Sequence, residues 1–379
     1  MGPILILDKS ALQGLSRREV WRLRRHFSLN IPPILIAEIL GDLAKADSSQ
    51  RDQVIYLARK LPAIDQYANE HYLKLCLGSL TGMVFEMRGV PVLSGGIPIQ
   101  TKSGERGIFF DATPEQLALL RWSEGDFTVT EHAVAELWRG MIPEIDLEAY
   151  RHRLNKYYLL IPSAADFHEL ALAVNSLIRN RSAQEPLLNF LLDECHTPDV
   201  LRNLILLKWR LNGCPDIRDY APYAVHCLRV LLVFIGGLRN KLISNRPSNR
   251  LDLEYCYYLP FCMAFVSRDH LHRNLAVSLL SQNQQFIDAD RLKAELRDLD
   301  QEWDRLSPEE RDERNAEYGD YPPDRPGSII SALWKKHMRP WRPGSGNLLS
   351  KMNEEQKARL EAKLQELDEA VRAATKTTH

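Results

Sequence analysis

The sequence has no Cys-x-x-Cys pair. Its six cysteines, Cys76, Cys195, Cys214, Cys227, Cys256 and Cys262, are scattered along 379 residues. That spacing argues against a zinc site of the usual kind and against a disulfide scaffold, and leaves the cysteines as small buried hydrophobes in a reduced compartment. Net charge is almost absent too, at -1. No global basic excess advertises nucleic acid, so any such binding must rest on local patches. There is no G-x-G-x-x-G, and the adjacent Gly95 and Gly96 are not followed by the Gly-Lys-Ser/Thr of a phosphate loop. No signal peptide is visible, because the apolar start at residues 3–7 is interrupted at once by Asp8 and Lys9. The most apolar later run, residues 230–238, contains two glycines and is about half the length that spans a bilayer. No fixed internal period marks a repeat array. The expectation is a soluble, cytoplasmic protein with no membrane partner.

What is present is globular. Hydrophobic residues make up 45% and charged residues 26%, enough for a core and an ordinary surface. The length allows two or three domains, or one domain with a large insertion. Residues 3–7, Pro-Ile-Leu-Ile-Leu, are a continuous apolar run that reads as a central strand buried on both faces, as in a parallel sheet. Ser10 could begin the turn into the next helix. Ser16 with Glu19 forms a capping box. The helix it opens carries Arg17, Arg18, Arg22, Arg24 and Arg25, five arginines in nine residues. They read either as a solvated face or as a contact to phosphates. Residues 29–33 are an extended lead-in fixed by two prolines. Glu38 follows as the one charge inside the apolar run 34–40, and an unpaired buried carboxylate there is expensive.

From about Arg51 the pattern is helical. Residues 89–110 alternate short β-like runs with glycines and read as a hairpin or two extended strands. Residues 112–240 read as a series of amphipathic helices, with starts at Thr113-Pro-Glu-Gln and Thr130-Glu-His-Ala. His168, His196 and His226 read as packing or capping residues, since none has a second His or Cys at i+3 or i+4. The polar, basic stretch 244–250 leads to a short helix bearing Asp252, then to a buried strand over residues 263–266, with Asp269 just past its end. His270 and His272 read as polar residues opening the next helix. Residues 306–347 hold six prolines and suit an extended, poorly packed linker. Within it Trp334, Lys335, Lys336, His337, Arg339, Trp341 and Arg342 suit either stacking on a nucleic-acid strand or anchoring the tail to its own domain. Residues 353–374 form a last amphipathic helix with Leu360, Leu364 and Leu367 on one stripe.

Four acids therefore share a setting. Asp8 and Asp269 follow buried strands, and strand ends gather on one edge of a parallel sheet. Glu38 and Asp252 lie on helices. Crowded carboxylates repel and raise each other's pKa values. A hard Mg²⁺ or Mn²⁺ ion relieves this through oxygen ligands, and its bound water can attack a phosphodiester. Glu254 is a second candidate beside Asp252, although on a helix the two lie about 200° apart.

The order Leu-Asp-x-Ser near the start, Ala-Glu-Ile-Leu thereafter, and Asp252 with Val-Ser-Arg-Asp269 resembles the PIN-domain ribonucleases. The resemblance covers residues 3–45 and 245–275. It implies a three-layer α/β/α core with a parallel sheet, and an acidic cluster that binds Mg²⁺ or Mn²⁺ and hydrolyses RNA. Residue by residue, it implies Asp8, Glu38, Asp252 and Asp269 as catalytic metal ligands. Ser10 and Ser267 fall at the family's hydroxyl positions, and these two with Arg17, Arg18 and Arg268 are expected against the substrate. The departure is length: roughly 200 residues separate the two halves, which reads as a helical insertion. The expected organisation is residues 1–55 as the first half of the core, 56–240 as a mostly helical insertion with the small β element, 241–288 as the second half, and 289–379 as a charged helix, linker and C-terminal helix. The leading expectation is an endoribonuclease, by the resemblance akin to toxin and defence nucleases, with RNA ahead of DNA as partner. The insertion or the last helix would serve a protein partner or self-association. The alternatives are an inactive binding or scaffold protein on the same fold, and a DNA or structure-specific nuclease.

Overall fold

The computed structural model describes residues 2–45, 49–61, 66–93, 95–343 and 352–377. Strand β1, Ile4–Leu7, is buried at every position, as a continuous apolar run requires. Asp8 then caps helix α1, Lys9–Gly14, so the turn begins one residue pair earlier than Ser10. The capping box of Ser16 and Glu19 opens α2, Arg17–His26. The extended lead-in is a strand, β2, Ser28–Ile31, and Pro33 starts α3, Pro33–Leu40. Then come α4, Ser49–Ala58, β3, Gln66–Ala68, and α5, Tyr72–Leu80. The first half of the core thus extends past residue 55, because β3 joins the sheet.

A two-stranded antiparallel hairpin, β4, Ile97–Gln100, and β5, Arg106–Phe109, stands apart from that sheet. Eight helices follow: α6, Pro114–Ser123; α7, Val129–Met141; α8, Leu147–His152; α9, Phe167–Arg179; α10, Gln184–Glu194; α11, Asp199–Leu211; α12, Ile217–Tyr220; and α13, Pro222–Arg239. The cap of α7 is Thr128 rather than Thr130. Helix α13 is apolar and long enough to cross a membrane by composition alone, and 83% of it is buried inside the protein. Its two glycines serve close packing: a Cβ at Gly236 would lie 2.5 Å from Leu170 Cδ1 of α9.

The chain returns to the sheet through α14, Asn249–Cys256, β6, Ala264–Ser267, α15, His270–Leu279, and β7, Gln285–Asp288. The five strands are all parallel, in the order β3-β2-β1-β6-β7. Connections run outward from β1 in one direction through β2 and β3, and in the other through β6 and β7. The topological switch point therefore lies between β1 and β6, where Leu7 pairs with Val266.

Helix α16, Ala289–Arg305, lies against α2 and gives its arginines carboxylate partners. Arg18 meets Asp300 at 2.8 Å and also Asp304, and buried Arg22 meets Asp300 at 2.8 Å. Arg18 thus shares its charge with α16 while its side chain stays largely exposed, and Arg17 faces solvent. A correction concerns the expected linker. Residues 308–337 fold into α17, Pro308–Tyr318, and α18, Ile329–His337. Ile329, Ile330, Leu333 and Trp334 are buried, and Trp334 Nε1 donates to the His26 carbonyl at 2.8 Å. Trp334 thus anchors this segment to the core; residues 344–351 lie outside the described residues. The final helix, α19, Glu354–Thr377, meets the hairpin through Lys102–Glu369 at 2.6 Å and Lys363–Glu105 at 3.0 Å.

Candidate functional site

The carboxyl edge of the sheet at the switch point is built from Asp8, which directly follows β1, and Ser267, which ends β6. The Asp8 N–H donates to the Val266 carbonyl at 3.2 Å, locking the two strand ends together. The buried Asp8 carboxylate is fully engaged. Ala11 N–H donates to Oδ1 at 2.7 Å, Ser10 Oγ to both oxygens at 3.0 and 2.8 Å, and Ser267 Oγ to Oδ2 at 2.7 Å. His272 Nδ1 stands 3.3 Å from Oδ2.

His272 is completely buried. Its Nε2 faces the Asp252 carbonyl at 2.8 Å, so that nitrogen must carry a proton. Its Nδ1 faces Asp8 and, at 2.9 Å, Ser267 Oγ, whose single proton goes to Asp8. Both ring nitrogens therefore meet acceptors, which is the pattern of an imidazolium. Burial opposes that charge, but the Asp8 hydrogen bond and charge, with Asp252 beyond, raise the His272 pKa to about 9. Burial likewise opposes the Asp8 charge, and His272, Ser267 and the Ala11 amide outweigh it, holding Asp8 below the ordinary carboxylate range.

The other acids surround this pair. Helix α14 packs against α15 and α3, which brings Asp252 and Glu38 to the same edge. The Tyr255 hydroxyl donates to Glu38 Oε2 and accepts from the Lys9 amide at 3.2 Å. Lys9 Nζ donates to the Glu38 carbonyl at 2.8 Å but gives its charge to buried Asp42 at 2.7 Å. Burial pushes the Glu38 carboxyl up to about 7; Tyr255 and Lys9 oppose this, and the charges of Asp252 and Asp8 add to it. Burial also pushes Asp252 up to about 6, against His272 and Arg246 and with Asp269 and Asp8. No protein donor meets the Asp252 carboxylate within hydrogen-bonding distance among the described residues. Asp269 caps α15, its Oδ1 accepting from Leu271 N–H at 2.6 Å, and its own N–H donates to Ser267 Oγ at 2.9 Å.

All four acids expected from the sequence thus lie in one electrostatic neighbourhood. Glu254 does not join them: on the far side of α14 it meets Arg250 at 3.3 Å, as the helical angle from Asp252 dictates. Arg268 is engaged by Asp290 and its guanidinium packs against Gly14. Ser10 and Ser267 are ligands of Asp8 before they are anything to a substrate. His272 was missed as a site residue. Its signal is periodic: with Leu275, Ala276 and Leu279 it forms the buried stripe of α15, and a histidine on such a stripe needs a partner. Tyr255 and Lys9 were missed because their partners lie on distant segments.

The donor set, hard carboxylate oxygens with one lacking any protein donor, fits Mg²⁺ or Mn²⁺ in its chemistry. Asp8 already has His272 as counter-ion, and among the described residues no three His, Cys, Asp or Glu side chains stand together as a metal-holding group. Asp252, Glu38 and Asp269 have no histidine against their carboxylates among the described residues. No family model matches this chain, and neither a curated protein nor a solved structure matches it.

Proposed function

We propose that this chain is a metal-dependent nuclease on a PIN-like α/β core, hydrolysing RNA phosphodiesters at the switch-point edge. One observation carries the reading. Acids from four separate elements converge beside the carboxyl ends of β1 and β6, and two of them, Glu38 and Asp252, are held at raised pKa values of about 7 and about 6. Such convergence of mutually repelling carboxylates is costly for a fold and useful to a cation site. Asp252, Glu38 and Asp269 would hold the ion. When bound, it supplies Lewis-acid stabilisation and a more acidic water. Without it, Glu38 is partly protonated at neutral pH and Asp252 takes up its proton only as pH falls through about 6; cation binding releases the protons they hold. The Asp8–His272 pair ties β1 to α15 and α14, positioning Asp252 and Asp269 around it. The RNA preference and a toxin or defence role rest on the resemblance alone.

A second reading has an observation of its own. The saturated Asp8 network is what a purely structural buried ion pair looks like, and it favours a binding or scaffold protein that no longer cuts. Cleavage of a single-stranded RNA and DNA panel with Mn²⁺, comparing the native chain with Asp252→Asn and with EDTA, separates them. The nuclease reading expects cutting that both controls abolish, and the RNA and DNA arms identify the substrate. Absence of cutting together with absence of Mn²⁺ binding by calorimetry leaves the scaffold reading.

A further inference from the structure

A second built space lies at the opposite edge of the sheet. Helix α2 ends at His26, directly before β2, and there α2, α16 and the segment from α17 to Trp341 enclose a cavity of about 450 Å³. Small-molecule sites span roughly 300–1,000 Å³. Four-residue strands of roughly 3.3 Å per residue separate it from the acidic cluster, so it is not part of that site.

Its walls have three distinct chemistries. One is aromatic: Tyr318 and Trp341 stack with ring centroids 5.2 Å apart and remain open to solvent, 38% and 36% exposed. One is cationic. Arg25 lies over the Trp303 ring at 4.5 Å, and its hydrogen bonds go to neutral oxygens, the Asn315 side chain and the Gly319 carbonyl at 3.0 Å. Arg314 has no hydrogen-bond or carboxylate partner among the described residues. Burial and then the Arg22 charge push the Arg25 guanidinium below its ordinary value; the Asp320 charge opposes this and Arg314 adds to it. The third is a lone acceptor. The His26 side chain is buried and burial pushes it down to about 4, so it is neutral. Its Nδ1 faces the Asp320 carbonyl at 2.7 Å and must carry the proton, which leaves Nε2 as an acceptor with no protein partner among the described residues. The acids at the rim are already engaged, Glu302 by Arg325 and Asp324 by Lys335.

A flat π-face, two guanidiniums with no carboxylate in direct contact among the described residues and one hydrogen-bond acceptor call for a ligand with an aromatic ring, an anionic group and an N–H donor. We propose that this cavity binds a nucleoside monophosphate group, with its base against Tyr318 and Trp341, its phosphate at Arg25 and Arg314, and an amino or ring N–H on His26 Nε2. Base-on-aromatic stacking and guanidinium–phosphate pairing supply the affinity. The group can come from a free nucleotide or from the phosphorylated end of an oligonucleotide.

The test is calorimetric titration of the full chain with 5′-AMP, adenosine, inorganic phosphate and a 5′-phosphorylated oligonucleotide. The expected result is saturable binding of AMP, with adenosine and phosphate each at least about tenfold weaker. Arg314→Glu and Trp341→Ala, both with unchanged melting curves, would each weaken AMP about tenfold or more. Arg314→Lys would restore part of the loss, and Asp252→Asn would change nothing. Tighter binding of the oligonucleotide than of AMP identifies a strand end, and the reverse a free nucleotide. The proposal is overturned if no phosphate-bearing probe binds, if binding survives both cavity variants, or if Asp252→Asn abolishes it.

Discussion

Two charged regions of this molecule have opposite organisation. Along α2 and α16, arginines and aspartates face one another in rows: Arg18 and Arg22 both find Asp300, and Arg22 lies between Trp21 and Trp303 at 4.4 and 4.7 Å. At the carboxyl edge, Asp8, Glu38, Asp252 and Asp269 are gathered by four different elements around one imidazolium. The first arrangement neutralises itself and joins two helices. The second leaves like charges facing one another, so it costs stability unless protons or a cation compensate. Charge density in a sequence is therefore ambiguous, and the supply of partners decides whether it acts as adhesive or as a site.

The comparison breaks most sharply at His272. His272→Gln removes the counter-ion of Asp8 and leaves a buried carboxylate unpaired, which should cost about 3–5 kcal/mol in a urea unfolding series. The edge should also lose stability with alkali. Sign by sign, the folded-state pKa of His272 is raised from 6.5 to about 9, so its contribution is full below about 6.5 and lost as pH rises through 9. Glu38 and Asp252 are raised from 4.5 to about 7 and from 3.8 to about 6, so the fold also favours their protons and weakens as pH rises through those ranges. Asp8 acts in the opposite sense, but only at acid pH, since its pKa lies below 3.8. Unfolding free energy should therefore fall from pH 5 to pH 9, on the order of 3 kcal/mol of it from the His272 shift, and the melting temperature with it. Added Mn²⁺ should restore more at pH 8 than at pH 5.5, since it needs the deprotonated acids. A flat profile would mean that the acids are compensated by something other than protons.

On the other side of the comparison, Asp300→Ala should cost about 2 kcal/mol, less than His272→Gln because Arg22 keeps two indole faces after losing its carboxylate. Arg18→Ala, on an exposed guanidinium, should leave the unfolding midpoint unmoved.

The legible parts of this fold are those whose signal is local. The apolar run of β1, the capping box of α2, the strand before Asp269 and the periodic helices of the insertion all carry their cause within a few residues. Strands β2, β3 and β7 do not. Each has three or four residues, and Ser28, Asn30, Gln66 and Gln285 give them a polar composition that only pairing with neighbours turns into strand. The proline-rich stretch read as an extended linker because its prolines are conspicuous, whereas Ile330, Leu333 and Trp334 needed the far surface beside His26 to reveal their burial. The same limit applies to the site. Acid positions were visible as exceptions in apolar surroundings, but the Asp8–His272 bond spans 264 residues of sequence, and no local pattern encodes which acid has a counter-ion.

A small stability change at Asp252 separates the readings best. Asp252→Asn keeps the size of the side chain and removes one charge from a group of four. If the acids are only tolerated, relief of repulsion should stabilise the fold by up to about 1 kcal/mol at pH 8, and Mn²⁺ should have no stabilising effect on either form. If they hold a cation, the same gain appears in metal-free protein. With Mn²⁺ present the order reverses, because the native chain gains binding energy that the variant lacks. Paired melting curves at pH 8, with and without Mn²⁺, read this crossing without requiring a substrate. A crossing with no cleavage would place the fault in the choice of nucleic acid rather than in the metal site.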